Sequence, residues 1–480
     1  MERWVSSNFD SSQISHKMKK AIVLGAGITG LYIADQLAKS GYNVTVIEKT
    51  KKVGGMASSF NYKDFTLDYG PHKFYTYLPG IYEEFMKIVG EGNYLIVKKK
   101  NSIRLLGKYF NFPVKLSELL LNINPIISFK IGLDFFRSFF KKMKIKSYED
   151  YFVKGFGRTG YSIIFKGFAE KVWGINPKNL SEELARRRSP ASNIFDVLKT
   201  ILIKNKKDVS AEYFYYPKHG YGVICDNLAN SIIKNKGKIL LETFPTKINV
   251  KNNKVVSVEV SKSKKKKISC DVLVSSLSIN EMPLLLNPNI PNDVAESFKE
   301  LKFRSLIICY VFLKKEKALK DNWLFFPEKE FCFNRVAEQK SFSSFTAPAE
   351  KTVLTAEITC NYNDNIYNAH EEKLKELVLK DLEKAGLIKK EEVYDFFIRK
   401  AGRVYPVYSM EYKKNLNKVL GYLDNIGNIY TVGRLGLFNY NNADHCIDMA
   451  MVTSDIIIKG KSLEEWRKAR NYFDSYKIVD

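Results

Sequence analysis

Residues Ala21 to Lys49 read AIVLGAGITGLYIADQLAKSGYNVTVIEK. A short apolar run, Ala21 to Leu24, meets Gly25, Gly27 and Gly30 in G-x-G-x-x-G spacing. A helix-forming stretch follows, then Gly41, then a second strand-like run from Val44 to Ile47 that ends at Glu48. Strand, glycine turn, helix, second strand and terminal acid together make a complete βαβ dinucleotide fingerprint, where three glycines alone would be a weak signal. Gly25 permits the tight turn, and Gly27 lets the backbone approach a pyrophosphate. Gly30 lets the helix pack close to the strand, while the helix N-terminus faces the phosphates. Glu48 is placed to accept hydrogen bonds from a ribose diol, and an acid rather than an arginine there disfavours a 2′-phosphate.

Two further segments extend this reading. Val53-Gly54-Gly55-Met56-Ala57-Ser58-Ser59 comes directly after Glu48-Lys49, followed by Phe65-Thr66-Leu67-Asp68-Tyr69-Gly70-Pro71-His72. At the far end stands Ile429-Tyr430-Thr431-Val432-Gly433-Arg434-Leu435-Gly436, with Tyr440, Asp444 and His445 before a helix. On these segments the chain resembles the large flavoprotein group that contains amine oxidases, protoporphyrinogen oxidase and UDP-galactopyranose mutase. The resemblance implies FAD rather than NAD as the tightly held cofactor. It also implies an α/β fold, with a discontinuous, glutathione-reductase-like Rossmann domain for FAD, a helical insertion and a sheet-containing substrate domain. In that group the G-G-x-x-x-S segment runs along the FAD diphosphate, and the D-x-G-x-H segment lies beside the isoalloxazine ring. Carried over position by position, the implied FAD contacts are Gly25, Gly27, Ile28, Thr29, Gly30, Glu48, Lys49, Gly54, Gly55, Met56, Ala57, Gly70, Pro71, His72, Ile248, Gly433, Arg434, Asp444, His445 and Cys446. NAD(P)H is a candidate external reductant.

His72 and Arg434 are the catalytic candidates. A lone histidine is usually structural, but the resemblance puts His72 at the flavin face, where it would orient the ring or move a proton. Mutases of this group carry Gly-Gly-His in the matching loop. Here Pro71 replaces the second glycine, fixing φ and removing a backbone donor, which argues against a redox-driven loop switch. Arg434 would stabilise negative charge on reduced flavin or on a bound diphosphate. Asp444 is expected as the N-cap of the closing helix, whose positive end would face the flavin.

Lys171-Val172-Trp173-Gly174-Ile175-Asn176-Pro177 leads to Leu184-Ala185-Arg186-Arg187-Arg188-Ser189-Pro190, and this segment is similar to eukaryotic-type mutases. The resemblance makes Arg188 a diphosphate-binding residue and Arg335, after Phe333-Asn334, a second. Tyr405 and Tyr440 match tyrosines that hold substrate phosphate beside the flavin. For Arg186 to Arg188 the bland alternative is a solvated charge run; for the tyrosines it is a core edge. The implied activity is that of a UDP-galactopyranose-mutase-like enzyme of surface-glycan biosynthesis acting on a nucleotide-sugar through reduced flavin. The alternative is an FAD-dependent oxidase or dehydrogenase that takes hydride from an apolar or glycan-linked substrate.

Composition bounds the rest. The 480 residues are 45% hydrophobic and 27% charged, as in a globular protein. Six cysteines are scattered without C-x-x-C pairs, so neither zinc nor a disulfide framework is indicated. No secretory signal precedes the first strand, and the most apolar stretch, Leu119 to Phe140, is broken by Lys130, Asp134 and Arg137. A cytoplasmic protein is expected, with peripheral contact at the inner membrane face as a further option. The net charge of +25 comes with no nucleic-acid motif, so solubility is the preferred reading over nucleic acid. Lys264 to Lys267 is expected at a hairpin tip. Phe135 to Lys144 is basic and aromatic and could touch a bilayer, but its aromatics are expected to pack inward. By position, 1–18 is read as a flexible extension, and 19–75, 215–285 and 425–460 as the FAD-binding domain. Residues 76–214 are read as a mainly helical insertion, 286–424 as a substrate-binding α+β domain and 461–480 as a tail.

Overall fold

The computed structural model describes residues 18–114, 116–188, 212–262 and 264–478. All but Met18 of the N-terminal extension, and 189–211 of the insertion, lie outside the described residues. The strand Lys20–Leu24 occupies the centre of a five-stranded sheet. Asn43–Ile47 and Val272–Ser275 flank it, with Lys238–Leu240 and Ile429–Thr431 at the edges, and every pairing is parallel. These strands are apolar on both faces because both are covered: one by the helices Ile28–Lys39, Val223–Lys234 and Ala443–Lys459, the other in large part by a four-stranded sheet that carries Ile248, Val258 and Val260. They come from three distant stretches of chain, so Leu24, Ser275 and Thr431 end at one edge. Ligands of open parallel sheets bind at that carboxyl edge.

A second sheet, of seven strands, forms the other wall. Its order runs Val393–Pro406, Phe303–Leu313, Thr352–Cys360, Arg335–Glu338, Trp323–Phe325, Asn101–Leu105, Lys108–Asn111. The last two strands belong to the stretch read as a mainly helical insertion, which thus carries short strands beside its helices. Tyr94–Lys98 is also a strand, paired with Tyr213–Pro217. Asn101–Leu105 pairs in parallel with Trp323–Phe325, which ties 76–214 to 286–424 through a shared sheet. The tail is likewise an element of the core: Leu463–Asp474 is a helix with Trp466 and Phe473 buried.

Two smaller expectations also change. Of Lys264 to Lys267, Lys264 lies in the hairpin connection, while Lys265 to Lys267 belong to Lys265–Ser269, the edge strand of the four-stranded sheet, where lysines discourage pairing with another chain. Among the described aromatics of the helix Pro125–Phe140, Phe135 turns partly inward while Phe129, Phe136 and Phe140 are exposed. Among the described residues no helix is long and apolar enough to cross a membrane.

Candidate active site

The nucleotide cradle is made of backbone. Gly25 turns the chain with φ +92°, a conformation that side-chain-bearing residues rarely adopt. The helix Ile28–Lys39 then begins at Gly27 without a side-chain cap, leaving its first amides for an anion. A Cβ placed on Gly27 would meet no atom within 4 Å, so the space in front of the helix is open. Gly54 donates to the Ala26 carbonyl at 2.7 Å, and Gly27 and Gly54 form an isolated parallel bridge that lays the second glycine segment beside the first. Glu48 is buried and braces this turn: its carboxylate accepts from the Ala26 amide at 2.9 Å and from the amide and hydroxyl of Thr50. Lys49 is exposed.

The carboxyl-terminal motif closes over the same helix end. A Cβ on Gly433 would lie 3.0 Å from the Thr29 hydroxyl, so two segments some four hundred residues apart in sequence meet here. Ile28, Thr29 and Cys446 are buried around this contact. Asp444 is not the N-cap of the closing helix Ala443–Lys459. Asn442 holds that position, and its amide donates to His445 Nδ1 at 3.2 Å. Asp444 sits inside the first turn, where burial pushes its carboxyl up to about 7, while the His445 backbone and the Thr76 side chain pull the other way. Burial lowers His445 to about 4. Ile248 is buried in the strand Phe244–Lys251, packed in the core rather than on the chamber wall described next.

One chamber collects Met56, Pro71, His72, Arg188, Arg335, Tyr405, Arg434 and Tyr440. Its positions come from five separate parts of the chain, and neighbouring residues on one element can have unrelated roles. The helix Glu182–Arg188 sends its three arginines in three directions. Arg186 pairs with Glu182 at the surface. Arg187 is buried, bonded to Glu183, Asn439 and Asp474, and lies over the Tyr408 ring. Arg188 turns into the chamber over Phe168 and Tyr440, at 5.3 and 5.7 Å.

Arg335 lies on the chamber wall directly across from Glu357 on the next strand and pairs with that buried carboxylate through two nitrogens. Arg434 donates to the Asn441 carbonyl and sits over Tyr405 and Tyr440 at 5.7 and 5.9 Å. Trp173 meets Tyr440 edge-on with ring centres 5.2 Å apart. Burial, and then Glu357, push the Tyr405 phenol up to about 12, with Arg335 and Arg434 opposing. His72 stacks on Tyr221 at 4.9 Å. Burial, then Arg335 and Arg434, lower His72 to about 3, so at neutral pH it is an uncharged imidazole.

Several lining residues were not foreseen: Lys73, Tyr221, Asn334 and Glu357. Glu357 did carry a signal. It is the one charged residue in the apolar strand Thr352–Cys360, and a lone carboxylate in a buried strand demands a cation. Gly70, with φ +93°, belongs to the same contact, since a Cβ there would lie 2.5 Å from a Glu357 oxygen. In charge, the described residues of the lining set Lys73, Arg188, Arg335 and Arg434 against one carboxylate, Glu357.

A family model of flavin-containing amine oxidoreductases matches residues 28–398. The chain belongs to that family. It is an FAD-dependent enzyme, and the open, uncapped, glycine-lined helix end fits the cofactor's diphosphate. A probable UDP-galactopyranose mutase of Klebsiella pneumoniae is 26% identical over 180 residues, 35% of this chain and 44% of that protein. A dTDP-fucopyranose mutase of Escherichia coli is 26% identical over 44% of this chain and 54% of its own length. A 1-hydroxycarotenoid 3,4-desaturase of Flavobacterium sp. (strain P99-3) is 25% identical over 68% of this chain and 70% of its own length. The chain thus spans about half the length of the two mutases it matches. In fold, a crystal structure of reduced UDP-galactopyranose mutase aligns with a TM-score of 0.81 at 18% identity, covering 96% of this chain and 99% of that one.

Proposed function

We propose that this flavoenzyme is a mutase-like enzyme that isomerises a nucleotide-sugar. The observation that carries the reading is the charge of the chamber: four cationic side chains face a single carboxylate, beside two tyrosines and a neutral histidine. A wall of that kind suits a doubly charged pyrophosphate, which guanidiniums bind bidentately. Reduced flavin, when bound, supplies the electron-rich ring that such an isomerisation needs without net electron transfer. The chain itself does the positioning. Arg188 and Arg335 grip the leaving diphosphate from opposite elements, Tyr405 and Tyr440 donate to its oxygens, and the buried phenol of Tyr405 keeps its proton while doing so. Arg434 places positive charge beside both tyrosines, and His72, stacked on Tyr221, holds a flat uncharged face toward the ring without titrating. The glycine cradle and the uncapped helix end hold the FAD diphosphate.

A second reading is an oxidoreductase acting on an apolar substrate. Phe168, Val172, Leu306 and Phe325 line the same chamber, and Glu357 already neutralises one guanidinium. One experiment separates the two. Dithionite-reduced enzyme given UDP-galactofuranose should form UDP-galactopyranose with no net flavin oxidation. Arg188→Ala and Arg335→Ala should each weaken UDP binding roughly 10- to 100-fold, the range for a lost charge-assisted contact. No conversion, with stoichiometric flavin oxidation by another substrate, overturns the mutase reading.

A further inference from the structure

The helix Pro125–Phe140 is apolar on two faces. One face packs on the helix Tyr148–Tyr161. Ile131 is buried there, and Gly157 and Gly160 let the helices approach so closely that a Cβ on Gly157 would lie 2.6 Å from the Phe135 amide. Asp134, the only acid of the helix, also turns to this side and accepts from the amide and hydroxyl of Thr159. The opposite face repeats at helical spacing, Ile126, Phe129, Leu133, Phe136, Phe140, and these residues are 77, 73, 38, 62 and 67% exposed. Surface apolar residues scattered singly need no explanation, but five in one stripe do. Exposed Lys130, Arg137, Lys141, Lys142 and Lys144 border the stripe and continue beyond its end, with no acid among the described exposed residues of the helix.

We propose that this face docks on an anionic phospholipid surface, with the helix lying in the plane of the interface. Apolar residues flanked by lysines and arginines are the composition of interfacial helices, and lipid headgroups supply the negative charge that complements the rim. At 16 residues the helix is too short to span a bilayer, so its apolar face can only be half immersed. A second copy of the chain is a poor occupant. A twofold contact places the same patch on itself, which would bring the two cationic rims together.

The test is flotation of the FAD-loaded protein with vesicles of phosphatidylcholine alone or mixed with phosphatidylglycerol. Binding to the mixed vesicles should be at least about tenfold tighter, and it should weaken as salt is raised. Ile126→Ser/Phe129→Ser/Phe136→Ser should lose at least about tenfold in binding. Lys130→Glu/Arg137→Glu/Lys141→Glu should lose the preference for anionic lipid, and both variants should keep the flavin absorption of the parent. The proposal is overturned by three results: binding to neither vesicle, binding unchanged by either variant, or a concentration-dependent dimer abolished by the serine variant without vesicle binding.

Discussion

The phosphate cradle and the substrate chamber are built on opposite plans. The cradle consists of backbone centred on one local stretch, Gly25 to Gly30, with Gly54 bridged to Gly27 and Gly433 set against Thr29. The chamber consists of long side chains brought from five places, and what each one does depends on its neighbours across the fold. A backbone site tolerates no added atom at a few positions and is indifferent elsewhere. A side-chain site can lose one arm and keep its shape. The largest expected effects therefore fall in the cradle, and the two plans can be separated there by neighbouring glycines.

Gly30→Ala places a methyl 2.2 Å from the Gly25 carbonyl oxygen, a backbone contact that cannot yield. Overpacking of this kind costs about 1–3 kcal/mol and often more, and it forces helix and strand apart, so the protein should purify destabilised and without flavin. Gly27→Val puts its Cβ where no atom lies within 4 Å and sits in extended backbone, which valine accepts. Its apoprotein should unfold within about 0.5 kcal/mol of the parent, the ordinary range for a substitution that disturbs no packing. Flavin affinity should nonetheless fall at least about tenfold, because the branched side chain fills the space in front of the helix N-terminus. Denaturant unfolding and flavin absorbance measured together decide the matter. A fully yellow Gly27→Val protein would mean that the diphosphate lies elsewhere.

The same contrast explains what was legible in the sequence. The cradle could be read residue by residue, because each glycine answers a local steric demand and the order strand, turn, helix, strand fixes where the demand falls. The chamber could not be read that way. Nothing in Arg186-Arg187-Arg188 distinguishes a surface pair, a buried brace and a site residue, and only the resemblance singled out Arg188. Glu357 was readable in principle, as a lone acid in an apolar strand, but its partner lies across a sheet ladder that local pattern does not reveal. The strand Asn101–Leu105 escaped because it is short and pairs on one side with residues more than two hundred positions away, and Lys108–Asn111, its local hairpin partner, is shorter still. Asp444 was misplaced by two positions as a cap, since Asn442 and Asp444 are both competent cap residues and only the backbone decides between them.

Adjacent arginines sharpen the comparison within the chamber itself. Arg187→Ala removes a buried cation from Glu183, Asn439 and Asp474 and should cost about 3 kcal/mol, the low end for a broken buried pair because both carboxylates keep some water. UDP affinity of the folded fraction should stay within about twofold of the parent, far below one full bidentate contact. Arg188→Ala should do the reverse, costing less stability than Arg187→Ala because Arg188 is only half-buried whereas Arg187 is buried. Urea unfolding and UDP titration of the two proteins form the measurement. If both variants lose affinity equally, Arg187 reaches the ligand through Asn439 and the division of labour along this helix is wrong.

The smallest effect lies where cradle and chamber meet, at Asp444 and His445. Asp444 carries a folded pKa raised to about 7 from 3.8, so the native state holds its proton more tightly than the unfolded chain does. Stability from this group is therefore full below about pH 4 and is lost as pH rises toward 7, with no further change above. His445 works in the opposite sense. Its folded pKa is lowered to about 4 from 6.5, so the unfolded chain takes up the proton first and stability rises across that interval. In the parent protein the two slopes oppose each other between about pH 4 and 6.5. Asp444→Asn removes one of them while keeping an acceptor for the His445 amide and Thr76. Relative to the parent, the variant should gain stability steadily from pH 4 to 7, by an amount on the order of 1 kcal/mol per pKa unit at most, and hold that gain at higher pH. Thermal midpoints of both proteins across this range provide the check. A constant difference at every pH would mean that the Asp444 carboxyl is solvated and ionised throughout, and that water reaches the junction between the FAD cradle and the chamber.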